Sequence, residues 1–459
     1  MTAASPRPPG VLPACLSRPA TPVTAYNEAI PVTLPAFQAT PQSVQDVQEV
    51  VAFCRARGLR LSPCATGHDF EGRSLSGDVI LHLSAFRAVK YDPRTTRVTI
   101  GGGAVVYDIN QVLHAHGRAI STGTNQDVGI TGLTLGGGAA YTSRQHGLTC
   151  DALLAADLVT FTGEHLHVTD DSHPDLMRLL RGAGGGHFGV VTALTFRTYP
   201  TTPVLTFHAH WPLDGAAPPI DLLEERLISA PDSLSMRVGA NVTSPDRARQ
   251  LSLSGQCFSG AATVDRHFGA LRRHAHWTEQ TLPYAEAMAG ARHQTAGGAF
   301  KIKSRHAFTP VGGGLNALLD HLLTWTPTTN PDGAGFGLFA WGGAVRHFPP
   351  QQSCVPGRQS EYLASFDTAW TARDTPALTD GQLRWVHDLD ALAGTLLSSC
   401  AYVNFPDSDD QAFQARHQQP FLADLQAWTA RLDPDGLGRQ VSLAPSWPPA
   451  PSPPTGRQP

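Results

Sequence analysis

Three glycine-rich blocks constrain this chain more than anything else in it. They are Thr66-Gly67-His68-Asp69-Phe70-Glu71-Gly72-Arg73-Ser74, then Val128-Gly129-Ile130-Thr131-Gly132-Leu133-Thr134-Leu135-Gly136-Gly137-Gly138, then Arg181-Gly182-Ala183-Gly184-Gly185-Gly186-His187-Phe188-Gly189-Val190-Val191-Thr192. Glycine is required where the backbone takes a positive φ or approaches a ligand too closely for a Cβ. Successive N–H groups in such turns make an anion-binding concavity without help from lysine or arginine. Gly184, Gly186 and Gly189 also satisfy the GxGxxG pattern of dinucleotide folds. A fingerprint of that kind follows a strand and opens a helix. Here it follows the helical segment Asp175 to Leu180 and opens the strand Val190 to Phe196, which argues against an NAD site.

The 459 residues suit two domains with a sizeable core. A net charge of −4 with unclustered basic residues gives no reason to expect nucleic acid or an anionic membrane as a partner, and points to a small molecule. The seven cysteines, Cys15, Cys54, Cys64, Cys150, Cys257, Cys354 and Cys400, lack CxxC spacing and read as reduced thiols. Prolines interrupt Met1 to Arg18 where a signal peptide needs an apolar helix, so a cytoplasmic protein is expected. Pro448 to Pro454 reads as a disordered tail.

Thr40-Pro41 followed by Val44, Val47, Val50, Val51 and Cys54 predicts a helix capped at Thr40 and stopped by Gly58, leading into a strand over Leu59 to Pro63. Further strands are predicted at Val79 to Leu83 and Arg97 to Ile100, and a helix from Ala104 to His116. Thr162-Gly163 reads as a hairpin turn between Asp157 to Phe161 and Leu166 to Val168. Amphipathic segments at Pro219 to Leu227 and Leu315 to Leu323 mark a second, mixed domain after the glycine blocks end.

The order and spacing of the three blocks, with Tyr402-Val403-Asn404-Phe405-Pro406-Asp407 near the C-terminus, resemble the vanillyl-alcohol-oxidase and berberine-bridge-enzyme families. Trp341-Gly342-Gly343-Ala344 and Pro356-Gly357-Arg358 followed by Tyr362 and Trp370 fit the same resemblance. It implies an α+β fold: an N-terminal arm (1–30), a PCMH-type FAD-binding domain of two subdomains (31–200), a substrate domain (201–399) and a segment returning to the flavin (400–440), before a tail (441–459). It also implies FAD as cofactor.

Carried over residue by residue, the resemblance puts Ala65, Thr66, Gly67, His68, Asp69 and Ser74 of the first block against FAD. Gly123, Thr124, Val128, Gly129, Gly132, Leu133, Gly137 and Gly138 join them from the second region, Gly189 and Val191 from the third, and Asn404 from the return segment. His68 on the residues alone is a turn histidine hydrogen-bonded by Asp69; the resemblance implies a single covalent bond to the flavin 8α-methyl, which raises its potential as a hydride acceptor. A cysteine for a second bond is absent, its position being Asn125, and Cys64 reads as a buried thiol.

Alcohol oxidation needs a base for the hydroxyl proton while hydride leaves carbon. Where relatives carry a glutamate or glutamine three residues past Tyr362 this chain has Ser365, and where some place a tyrosine after the triple glycine it has Ala139. Tyr402 remains as candidate acid/base, with Phe405 unable to serve. Val128 aligns with the position that gates oxygen access, a valine there implying an oxidase that yields hydrogen peroxide. The histidine pairs His165/His167 and His274/His276 lack further ligands at metal spacing and read as surface residues. The reading that follows is an FAD-dependent oxidase of an alcohol or sugar hydroxyl. Oxidative ring formation in secondary metabolism, or flavin binding without turnover, stay open as alternatives.

Overall fold

Ser43 caps the first helix, because its Oγ accepts from Asp46 N at 3.2 Å while Asp46 Oδ2 accepts from Ser43 N at 3.1 Å. That reciprocal box displaces the expected start at Thr40 by one turn, and the helix Val44–Arg57 ends on Gly58 at φ 62°. The computed structural model describes residues 12–31, 34–213, 218–244, 248–272, 275–290, 298–410 and 412–438. The proline-rich tail and His274 lie outside them.

β1 (Leu16–Ser17), β2 (Phe37–Ala39), β3 (Leu61–Cys64) and β4 (Val79–His82) form a sheet of order β1-β2-β4-β3. Its β2·β4 and β4·β3 pairs are parallel; the first helix joins β2 to β3, and the first glycine block joins β3 to β4. β5 (Val89–Asp92), β6 (Arg97–Gly101), a short β7 (Arg118–Ala119), β8 (Leu153–Thr160), β9 (His165–Thr169) and β10 (Gly189–Arg197) follow. Of these β5-β6-β10-β8-β9 make an antiparallel sheet, with the expected hairpin at Gly163, while β7 pairs with β11 (Tyr199–Pro200). The third block does follow a helix, Pro174–Leu180, and open β10, so its glycines are no Rossmann turn.

β12 (Val204–Pro212), β13 (Leu234–Val242), β14 (Arg249–Cys257), β15 (His276–Leu282), β16 (Ala299–Ala307), β17 (Ala334–Ala340) and β18 (Tyr362–Trp370) build a seven-stranded antiparallel sheet of order β15-β12-β14-β13-β17-β18-β16. Strand alternation gives it two different faces. Met236, Val238, Ala240 and Val242 of β13 pack against helices Ile220–Ile228 and Leu315–Leu322 in one apolar core. The opposite face, bearing Arg237, Gly239 and Asn241, is left for a ligand.

Both ends of the described residues pack into the glycine-block half. Leu16 packs with Val47, Val51 and Leu437, and Phe421, Leu425 and Leu432 of the returning segment join the core under β6, β8 and β10. The residues taken as an N-terminal arm therefore supply an edge strand. Burial and partners across the halves include a closed ion pair, Arg358 Nη2 to Asp151 Oδ1 at 2.5 Å. All seven cysteines are free thiols, Cys64 among the buried ones, and no helix of the described residues is long and apolar enough to cross a membrane.

Candidate active site

A cavity of about 780 Å³ lies between the glycine turns and the open face of the seven-stranded sheet. Ala65, Thr66, Gly67, His68, Asp69 and Ser74 line it from the first block. Gly67 at φ 75° and Gly72 at φ 67° bend this block back on itself. Asp69 does not hold the His68 ring as the residues suggest. Its carboxylate accepts from Glu71 N at 3.0 Å and Ser74 N at 3.1 Å, fixing the turn at whose apex His68 stands. The imidazole is held instead by Tyr26, stacked at 3.7 Å between centroids and 28° between planes. Burial, against the pull of Asp127 and Asp69, pushes His68 down to about 4, so the ring is neutral at pH 7 and keeps a lone pair.

Gly123, Thr124, Asn125, Val128, Gly129, Gly132 and Leu133 line the next wall, with Gly189 and Val191 beyond. Gly137 and Gly138, expected at the cofactor, do not line the cavity. A Cβ on Gly138 would stand 2.1 Å from Thr149 Oγ1, and one on Gly137 3.2 Å from Val355 and 3.7 Å from the Tyr402 ring. A Cβ on Gly136 would meet Asn404 Oδ1 at 2.0 Å. The triple glycine thus seats the returning segment and the chain behind the wall; it is close approach of protein to protein that excludes the side chains.

The C-terminal segment enters at Tyr402, Asn404 and Phe405, all on the cavity wall. Tyr402 Oη accepts from Gly138 N at 3.0 Å and Ala139 N at 2.9 Å, and Asn404 Nδ2 lies 3.3 Å from it while donating to Leu133 O at 3.1 Å. These donors polarise the phenol oxygen. Burial outweighs them and holds the phenol above its ordinary value. Ser365 and Ala139 also line the cavity, without offering a base.

Three cavity residues escape the sequence reading. Asp367 stands two residues past Ser365 on β18, so alternation puts both on the cavity face, and that period was the available signal. Burial pushes its carboxyl up to about 6, with Arg237 pulling it down and Asp332 pushing it up. Arg73 lines the wall near the third block, 3.6 Å from Asp69, with its Nε buried and making no hydrogen bond. Tyr26 reaches His68 from 42 positions away, a contact with no local sequence signal.

FAD fits this cavity by several independent marks. Gly184 at φ 95° and Gly186 at φ 86° line it, and a Cβ on Gly132 or Gly186 would meet no protein atom within 4 Å. Arg73, whose buried Nε makes no hydrogen bond and stands 3.6 Å from Asp69, puts a cation on the same wall, where it fits a phosphate group. No group of histidine, cysteine or acidic residues fit for a metal ion occurs among the described residues; His167 is paired with Asp157 at 2.7 Å, and His276 stacks on His210.

Residues 35–169 match the FAD binding domain family. The uncharacterized FAD-linked oxidoreductase YgaK of Bacillus subtilis is 24% identical over 409 residues, covering 87% of this chain and 88% of its own. A xylooligosaccharide oxidase of Thermothelomyces thermophilus is 30% identical over 304 residues, with 59% of each chain covered. Among solved structures, the berberine-bridge-enzyme-like protein 1 of Physcomitrella patens superposes with a TM-score of 0.80 at 22% identity, over 90% of this chain and 92% of that one. With the cavity, its glycine turns and the returning segment in place, the chain carries an FAD-binding domain in a berberine-bridge-enzyme-like fold, and over most of its length it is similar to FAD-linked oxidoreductases.

Proposed function

We propose that the protein oxidises a sugar hydroxyl and works as an oxidase. The observation that carries this reading is the facing of two walls: glycine turns that fit FAD on one side, and the polar side chains of Asp367, Ser365 and Asn241 on the other. FAD, when bound, accepts the hydride and passes its electrons to oxygen, giving hydrogen peroxide. His68, its neutral imidazole held in place by Tyr26, would attach to it. Arg73 and the turns at Gly184 and Gly186 would hold its pyrophosphate. Asp367 takes the hydroxyl proton. At pH 7 a carboxyl with a value of about 6 is mostly ionised, whereas the buried Tyr402 phenol is held protonated, so the aspartate is the base matched to the working pH. Tyr402 then positions the Gly138–Ala139 backbone and the return segment. The xylooligosaccharide oxidase among the relatives supports a sugar over other alcohols.

The test is anaerobic mixing of the purified yellow protein with a panel of sugars, alcohols and aromatic metabolites, followed by admission of air and assay of peroxide. Bleaching by sugars and stoichiometric peroxide are expected. Bleaching only by aromatic metabolites with a new ring formed would transfer the protein to the ring-forming reading.

A further inference from the structure

Arg237 projects from β13 onto the cavity wall, and the sheet is hollowed to receive it. A Cβ on Gly337 would stand 2.6 Å from its Nε and Nη2, and one on Gly239 2.8 Å from its Nη1. These glycines are opposite each other on β13 and β17, so the guanidinium lies along a trench across two strands. Its far side rests over Phe339, 5.2 Å from the ring centroid. Among the described residues it donates no hydrogen bond and closes no ion pair. Other arginines buried near domain contacts are treated differently: Arg358 has Asp151, and Arg305 has Asp390 at 2.7 Å.

The neighbours of Arg237 are also short of partners. Asn241 Oδ1 is buried with none, and Asp367, whose charge Arg237 influences, closes no ion pair. A fork of five donors fixed by packing, with no acceptor from the protein, is matched by a planar bidentate acceptor. A hydroxyl-only ligand would leave the fork without the planar acceptor that matches it, in a cavity from which the ligand displaces water. Asp367 and Asn241 Oδ1 need donors in turn, which the hydroxyls of a sugar ring supply.

We propose that Arg237 is the anchor for a carboxylate on the substrate, making the preferred ligand a uronic-acid-type sugar whose hydroxyls meet Asn241 and Asp367. This rests on the sugar-oxidase reading for turnover, though not for binding.

Digalacturonate and xylobiose are the probes, compared on the flavin-loaded protein by rate of anaerobic flavin reduction and, separately, by perturbation of the flavin absorbance. The wild type is expected to favour digalacturonate by about tenfold or more in kcat/KM, the scale of a hydrogen bond to a charged group. Compared at a pH above the acid limb of both proteins, Arg237→Met is expected to erase that preference through KM while changing xylobiose turnover much less, and Arg237→Lys to restore part of it. Equal efficiency for the two sugars in the wild type, or an equal loss for both in Arg237→Met, overturns the proposal. If neither sugar reduces the flavin, yet digalacturonate perturbs its spectrum in wild type and not in Arg237→Met, the anion site stands and the sugar-oxidase reading falls. No reduction and no perturbation by digalacturonate overturns the anion site.

Discussion

Lys301 Nζ lies 2.8 Å from Glu71 Oε1, with both side chains almost wholly removed from solvent. Glu71 belongs to the turn that carries His68. The same ammonium stands 3.0 Å from Asp407 of the returning segment and 3.0 Å from Asp409, and Lys303 pairs with Asp407 as well. Burial works against the charge on Lys301, but Asp407, Glu71 and Asp409 outweigh it and hold the ammonium above its ordinary value. One strand of the substrate-side sheet thereby pins two flavin-side segments.

Removing one partner of such a buried cluster leaves the others uncompensated, at a cost of about 3–5 kcal/mol. Lys301→Met is therefore expected to unfold at clearly lower denaturant than wild type and to carry less covalently bound flavin. Adding Glu71→Gln should recover part of the loss. Equal midpoints for Lys301→Met and wild type in urea titrations would show that the cluster does not hold the two halves together.

His68→Ala is expected to release all flavin into the acid supernatant, while wild-type protein stays fluorescent on a denaturing gel. Tyr26→Ala, which removes the ring stacked on His68, should lower the covalent fraction without abolishing FAD binding. A wild type whose flavin is fully extractable would falsify the linkage and leave the fold untouched.

Asp367→Asn should slow anaerobic flavin reduction by about 10²-fold or more, the range for loss of a general base. The pH dependence has a definite sign. A base must be ionised to work, so the wild-type rate should fall as pH drops through about 6, the value to which burial raises Asp367. Arg237→Met removes the cation that lowers this carboxyl and should move the acid limb to higher pH. Tyr402→Phe should keep the limb and most of the rate. If Tyr402→Phe loses the rate and Asp367→Asn keeps it, the proton goes to the phenol.

Val128 lines the cavity, and its carbonyl accepts from Val106 N at 3.0 Å, which fixes where its side chain stands. One added methylene fills a space on the scale of dioxygen in an interior packed near crystal density. Val128→Leu is expected to slow reoxidation by air and leave reduction by substrate and turnover with a dye nearly unchanged. Stopped-flow traces in which both proteins reoxidise equally fast would remove Val128 from the oxygen path.

The sequence by itself determined the α+β class, the hairpin at Gly163 and the histidine turn, because positive-φ glycines and strand alternation are local constraints written in adjacent residues, and the resemblance carried by the three glycine blocks implied FAD. It also placed Tyr402 and Asn404 at the cavity, through a motif short enough to be read whole. Tertiary structure alone decided what those residues touch. Gly137 and Gly138 read as cofactor turns, yet their missing side chains make room for Val355, Tyr402 and Thr149. The Asp69 carboxylate accepts from Glu71 N and Ser74 N, while His68 is held by Tyr26, 42 residues away from it in the chain. Asp367 and Arg237 come from different strands, and only the register of β13, β17 and β18 sets them on one face. Their isolation from protein partners, from which the base and the anion anchor are argued, is a property of the assembled cavity: burial and charge balance are sums over neighbours that no single stretch of chain contains.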